Sequence, residues 1–157
     1  MKGFSLIEVL VSMALVATCA VGLAGLFAVS SRTTQESRID TVATFAAEAK
    51  MAELRALPWA FDPANGHLVF DPGLAVSPQS SLNANVAGFV DFLNSAGVVV
   101  GSGVEPPREG VYLRRWSIQP LPSSPADALV LQVVAARVTA PQSRDAHLVA
   151  ILARTAQ

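Results

Sequence analysis

No charged residue falls between Val9 and Ser31, and a single carboxylate, Glu8, stands at the head of that run. As a helix, the stretch from Phe4 to Val29, about 26 residues, would cover roughly 39 Å, against a hydrocarbon core of about 30 Å. Such a run needs an apolar environment, either a bilayer or a bundle of like helices. A carboxylate at a membrane helix centre costs about 2.5–3.5 kcal/mol on insertion scales, and less near an end, so the placement of Glu8 points to a use. A cleaved secretory signal is the rival reading. It requires an apolar region of about 7–15 residues followed by a small-x-small site. Here apolar residues continue past the small ones at Ala17, Ala20, Gly22 and Gly25. Lys2 and the α-amine favour a cytoplasmic N-terminus, although Arg32 and Arg38 flank the other end.

The 157 residues allow one modest domain beside the apolar segment. Eleven basic against twelve acidic side chains leave no basic excess, and no nucleic-acid partner is predicted. The one cysteine, Cys19, lies inside the apolar run and cannot form an intramolecular disulfide.

Helical periodicity continues beyond Ser30-Ser31. Val42, Phe45, Ala46, Ala49 and Ala52 recur as an apolar set, with Gln35, Glu36, Arg38, Asp40, Glu48, Lys50 and Glu53 as polar positions around them. Residues 41–57 are rich in strong helix formers, and Pro58 stops them. The expectation is one helix from Phe4 to Leu57, roughly 80 Å long, apolar all round in its first half and amphipathic in its second. Asp62 to Gly66 reads as a turn cluster and His67–Phe70 as a short strand, followed by loop over 74–88. Phe89–Leu93 and Val98–Val100 flank Asn94-Ser95-Ala96-Gly97 as a hairpin. Val111–Ile118, Ala128–Val138 and His147–Arg154 read as strands joined by short proline-bearing connections, and so as antiparallel neighbours. The alternation in Val111–Ile118 leaves an arginine on each face, Arg114 and Arg115, so sequence alone does not say which face is buried. The predicted class is α+β, one long N-terminal helix followed by an antiparallel meander.

Gly3-Phe4-Ser5-Leu6-Ile7-Glu8-Val9-Leu10 resembles the class III signal of type IV pilins and type II secretion pseudopilins. That signal has a short basic leader ending in glycine, then phenylalanine, then a glutamate at a fixed offset opening an apolar run. The resemblance covers about 30 residues. It implies the pilin fold, with the transmembrane first half of the helix leading into a part that packs on a C-terminal sheet. It divides the chain into a leader (1–3), a transmembrane and assembly helix (4–29), its amphipathic continuation (30–57) and a β-rich head (58–157). It implies that a prepilin peptidase/methyltransferase cuts between Gly3 and Phe4 and N-methylates Phe4. It also implies that Glu8 pairs with the positive N-terminus of a neighbouring subunit. A carboxylate in a dry bundle is tolerated when paired, and breaking such a pair costs about 3–5 kcal/mol. The alternative is that Glu8 snorkels to the headgroups of a plain anchor.

The segments Glu8–Ala17, Gly22–Leu26 and Ala46–Arg55 look like minor pilins of the PilV type, with the minor pseudopilins of type II secretion as close rivals. No cysteine follows Cys19 and no proline precedes Pro58, which favours a minor or initiating subunit over a bulk filament protein. The implied partners are other major and minor pilins or pseudopilins and an inner-membrane assembly platform. The implied location is a single-pass inner-membrane state with a cytoplasmic N-terminus and a periplasmic head, and then the filament. A non-polymerising anchored binding domain is the reading from a different class.

No catalytic constellation emerges, and no enzyme activity, cofactor or metal is predicted. Ser5 and Ser12 have no histidine near them in sequence, and His67 and His147 are solitary. Asp62, Asn65 and Asp71 lack EF-hand spacing and fit turn chemistry better. Arg114-Arg115 beside Trp116 reads as solvated strand face ahead of a DNA-contact patch. Trp59 is expected to pack the helix on the sheet.

Overall fold

The computed structural model describes residues 5–62, 67–139 and 145–154. One helix, α1 (Leu6–Ala56), runs through both of the compact units into which the chain divides, residues 1–38 and 39–157. It ends where the sequence requires. The Leu57 amide still reaches the Leu54 carbonyl at 3.4 Å, and Pro58 then offers no amide to continue the ladder.

In the first unit every residue of the chain from 5 to 35 is exposed, and α1 is apolar up to Val29 but for Glu8. It contains an 18-residue window of mean hydropathy 2.3, long and apolar enough to cross a membrane.

The second unit packs residues 39–56 of α1 onto a sheet. Among the described residues the strands are β1 (Trp59–Asp62), β2 (His67–Phe70), β3 (Val90–Leu93), β4 (Val99–Gly101), β5 (Tyr112–Pro120), β6 (Ala128–Arg137) and β7 (Ala146–Ala153). β1 and β2 form a two-stranded hairpin, and the rest form an antiparallel sheet of order β4-β3-β5-β6-β7. The fold is α+β, consistent with the pilin fold.

The topology departs from a simple meander. β5 returns to pair with β3 rather than with β4, placing Asp91 opposite Arg114 and Phe92 opposite Leu113. The reason is burial. All four residues of β3 are buried, which suits a central strand, whereas Val98 and Val99 remain exposed and suit an edge. The β3–β4 turn has the expected hairpin chemistry. The Asn94 side-chain oxygen accepts from the amides of Ala96 and Val98, and Gly97 takes φ 80°, a conformation that suits glycine.

The core lies between α1 and one sheet face. Ala43, Ala46, Ala47, Met51 and Leu54 meet Trp59, Tyr112, Trp116, Ile118, Leu131 and Val133. Trp59 thus packs helix against sheet, as its position predicts. The buried stripe of α1 is nevertheless rotated from the one read in the sequence. Phe45 is 65% exposed, Ala49 and Ala52 are exposed as well, and Lys50 faces inward. Alanines at the contact let the helix approach the sheet closely, and Phe45 is too large for that interface. Lys50 fits because its stem is apolar. Its ammonium lies 4.0 Å from the Trp116 ring centroid and donates to Glu53 at 2.7 Å.

The opposite face of β5 is covered too. Leu113 joins Val90, Phe92 and Ala136 in a second cluster. The 74–88 segment is irregular, as expected, but it is tied down by buried serines. Ser77 exchanges hydrogen bonds with the backbone of Ile118, lies 3.0 Å from the Ser117 hydroxyl and accepts from Ser81 at 3.2 Å. This seam lets a loop cover a sheet face without leaving buried polar groups unmet.

Candidate functional site

Gly3 and Phe4 lie outside the described residues. Glu8 is described and occupies the first turn of α1. Its carboxylate accepts from the Ser5 backbone amide at 3.4 Å, the long end of hydrogen bonding, while the Glu8 amide donates to the Ser5 carbonyl at 3.0 Å. Ser5-Leu6-Ile7-Glu8 is therefore a capping-box sequence whose glutamate arm is formed. The negative charge also sits at the positive end of the helix dipole. The Ser-x-x-Glu spacing was the signal available in the sequence, and Ser5 is the residue that a reading centred on Glu8 passes over.

Two hydroxyls inside the apolar segment are satisfied within the helix. Ser12 donates to the Glu8 carbonyl at 2.7 Å, and Thr18 donates to the Ala14 carbonyl at 2.7 Å. Neither needs an external partner, so these two side chains can enter hydrocarbon without an unmet donor. Glu8 is the exception, since among the described residues its carboxylate has one side-chain contact, the 3.4 Å amide of Ser5. Cys19 is exposed on the same segment.

The other residues singled out by sequence have structural explanations. Asp71 caps the single turn Pro72–Leu74, its side chain accepting from the Gly73 amide at 2.8 Å. His147 lies 3.3 Å from the Gln132 side chain on an exposed strand face. His67 lies in β2, and Asn65 lies outside the described residues. Among the described residues no cluster of histidine, cysteine and carboxylate could hold a metal.

The arginine pair is corrected, since neither member is plain solvated strand face. Arg114 is buried and donates through Nε and Nη2 to one Asp91 oxygen at 3.0 and 2.8 Å, and through Nη1 to the Ala46 carbonyl of α1 at 3.3 Å. Arg115 holds Asn85 at 2.8 and 2.9 Å and the Leu82 carbonyl at 3.2 Å. Desolvation lowers the Arg115 pKa, and the nearby Asp145 opposes that shift. Desolvation likewise raises the Asp145 pKa, opposed by Arg115. These guanidiniums are committed to holding the fold together, because a charge that leaves water must find compensating partners.

Residues 1–24 match the prokaryotic N-terminal methylation motif. The matched stretch spans Gly3, Phe4 and Glu8 and supports a type IV pilin-like prepilin, a structural subunit processed by a peptidase and assembled with other pilins. No curated protein and no solved structure matches the chain.

Proposed function

We propose that the chain is a minor structural subunit of a type IV pilus. Residues 1–3 are the leader, 4–29 the transmembrane and assembly helix, 30–57 its amphipathic continuation and 58–157 the β-rich head. Prepilin peptidase cuts between Gly3 and Phe4 on the cytoplasmic side and methylates the new Phe4 amine. The subunit waits in the inner membrane with its head in the periplasm, and an inner-membrane platform then transfers it into the filament beside major and minor pilins.

The observation that carries this reading is the state of Glu8. It is the only acid in an apolar, unpartnered helical run, and its one described side-chain contact is a 3.4 Å amide. In a neighbour's company the carboxylate exchanges that contact for a Phe4 ammonium, which the dry interior of a helix bundle makes worthwhile. The long apolar surface of α1, from Leu6 and Ile7 to Phe27 and Val29, is the face that like helices would cover.

Intact mass of the protein recovered from membranes tests the processing step. Loss of Met1-Lys2-Gly3 with a gain of one methyl is expected, and an uncleaved N-terminus would refute it. Glu8→Val is expected to be cleaved normally yet to drop out of sheared filaments. Normal incorporation of that variant would remove the pairing role.

A further inference from the structure

The two edges of the five-stranded sheet are built differently. At one end β4 is three residues long, and the Pro107 ring sits 3.2 Å from where a Cβ on Gly101 would be, so that edge is short and crowded. At the other end β7 runs for eight residues and, among the described residues, pairs only with β6. Its outer backbone amides and carbonyls form a strand template. Proteins blunt such edges with proline, charge, bulges or brevity. From Ala146 to Ala153 β7 has no proline, no glycine and no aspartate, glutamate, lysine or arginine, and its register with β6 is unbroken.

Apart from His147, side chains on both faces of β7 are apolar. Leu148, Ala150 and Leu152 are half-buried against the core, while Val149 and Ile151 are 60% and 61% exposed on the other face. Beside the strand, within the 39–157 unit, a cleft of about 320 Å³ opens between Glu48, Met51, Ala52 and Arg55 of α1 and Leu148–Ala150 of β7.

We propose that β7 is a docking edge that takes an extended apolar segment of a different protein as an added strand, with alternate side chains of that segment seated in the α1–β7 cleft. The template fixes the backbone of the occupant as extended, and the apolar faces fix its side chains as apolar on both sides. The cleft charges fix the rest. Glu48 and Arg55 are two helical turns apart, about 10.5 Å along α1, which is close to three residues of extended chain. The occupant therefore carries a basic and an acidic residue two or four positions apart on its cleft-facing side. A second copy of this chain fits worse, because β7 contains no carboxylate to meet Arg55.

The test uses the full-length protein in detergent micelles. The probe is a labelled synthetic octapeptide of alternating valine and leucine with one lysine and one glutamate at that spacing. Binding is expected to slow hydrogen exchange of β7 amides. Ile151→Lys changes an exposed side chain, so it is expected to keep the melting temperature while weakening the peptide by at least about tenfold, through a charge on the edge. Glu48→Lys is expected to weaken the same peptide and to be rescued by one carrying glutamate in place of its lysine. Unchanged β7 exchange would overturn the proposal, as would affinity indifferent to Ile151→Lys or the absence of charge-swap rescue. A dimer in micelles that Ile151→Lys dissolves would overturn it in favour of a second copy.

Discussion

α1 is one continuous helix in two environments. Over residues 5–35 no side chain is buried, and large apolar groups such as Leu15 and Phe27 stand exposed. Over residues 39–56 the same kind of helix buries Ala43, Ala46, Ala47, Lys50, Met51 and Leu54. The first stretch presents leucine, valine, isoleucine and phenylalanine all round. The second presents three alanines with Lys50, Met51 and Leu54 to the sheet and places its largest apolar residue, Phe45, outward. The difference shows how each stretch finds a partner. A helix that must meet lipid or several neighbours offers bulk in every direction, whereas a helix that meets one sheet offers a narrow, shallow stripe.

The sharpest way to separate the two regions is through their ion pairs. Asp91→Ala leaves Arg114 buried without its carboxylate and is expected to destabilise the head by about 3–5 kcal/mol, seen as a lower midpoint in urea. Arg32→Ala removes the exposed arginine of the Arg32–Glu36 pair from the first stretch and is expected to change the same midpoint by less than about 0.5 kcal/mol. Equal losses would break the comparison. Truncation gives the next effect. Leu54→Ala should cost about 2–5 kcal/mol, because a fully packed side chain leaves a cavity. Leu15→Ala, at a position 63% exposed, should leave head stability unchanged by calorimetry in micelles. Enlargement follows. Ala47→Leu is expected to cost about 1–3 kcal/mol by overpacking the helix–sheet contact, while Ala24→Leu has no contact to strain.

The smallest expected effect is a pH dependence confined to the head. Burial raises the Asp145 pKa, only partly offset by Arg115, so the folded state holds this proton more tightly than the unfolded chain does. Its contribution therefore favours folding while the group is protonated. That contribution is lost as pH rises from the unfolded value through the raised folded one. Asp145→Asn should remove that loss, leaving the variant slightly more stable than the parent at neutral pH. The gain should be less than about 0.5 kcal/mol, because the group is mostly solvated. Urea midpoints at neutral pH and below the carboxylate range check the sign.

Much of the architecture is legible residue by residue. The helix ends at Ala56, one residue before the expected Leu57, because Pro58 is a local veto. The hairpin around Asn94–Gly97, and β2, β5, β6 and β7, lie within a residue or two of their expected bounds, because turn residues and β-branched runs act over short distances. β1 was missed: Trp59–Asp62 is short, begins right after a helix and gains strand character only by pairing with β2. At the candidate site a lone acid in an apolar run makes Glu8 legible, whereas the Ser5 cap is evident from the contact between its amide and the Glu8 carboxylate.

What the sequence alone determined is local or compositional: a membrane-length apolar helix, an N-terminal processing motif with one acid, the proline stop and the turns. These depend on neighbouring residues and on transfer from water, so contiguous sequence encodes them. What only the tertiary structure decided is which faces are buried and who pairs with whom. It rotated the buried stripe of α1, sent β5 to β3, and put Arg114 inside against Asp91 and the Ala46 carbonyl. A guanidinium can leave water only when distant partners assemble around it, and those partners come from β3 and α1, far from it in the chain. Among the described residues β7 likewise became an open edge through the order of strands, which no single strand's sequence records.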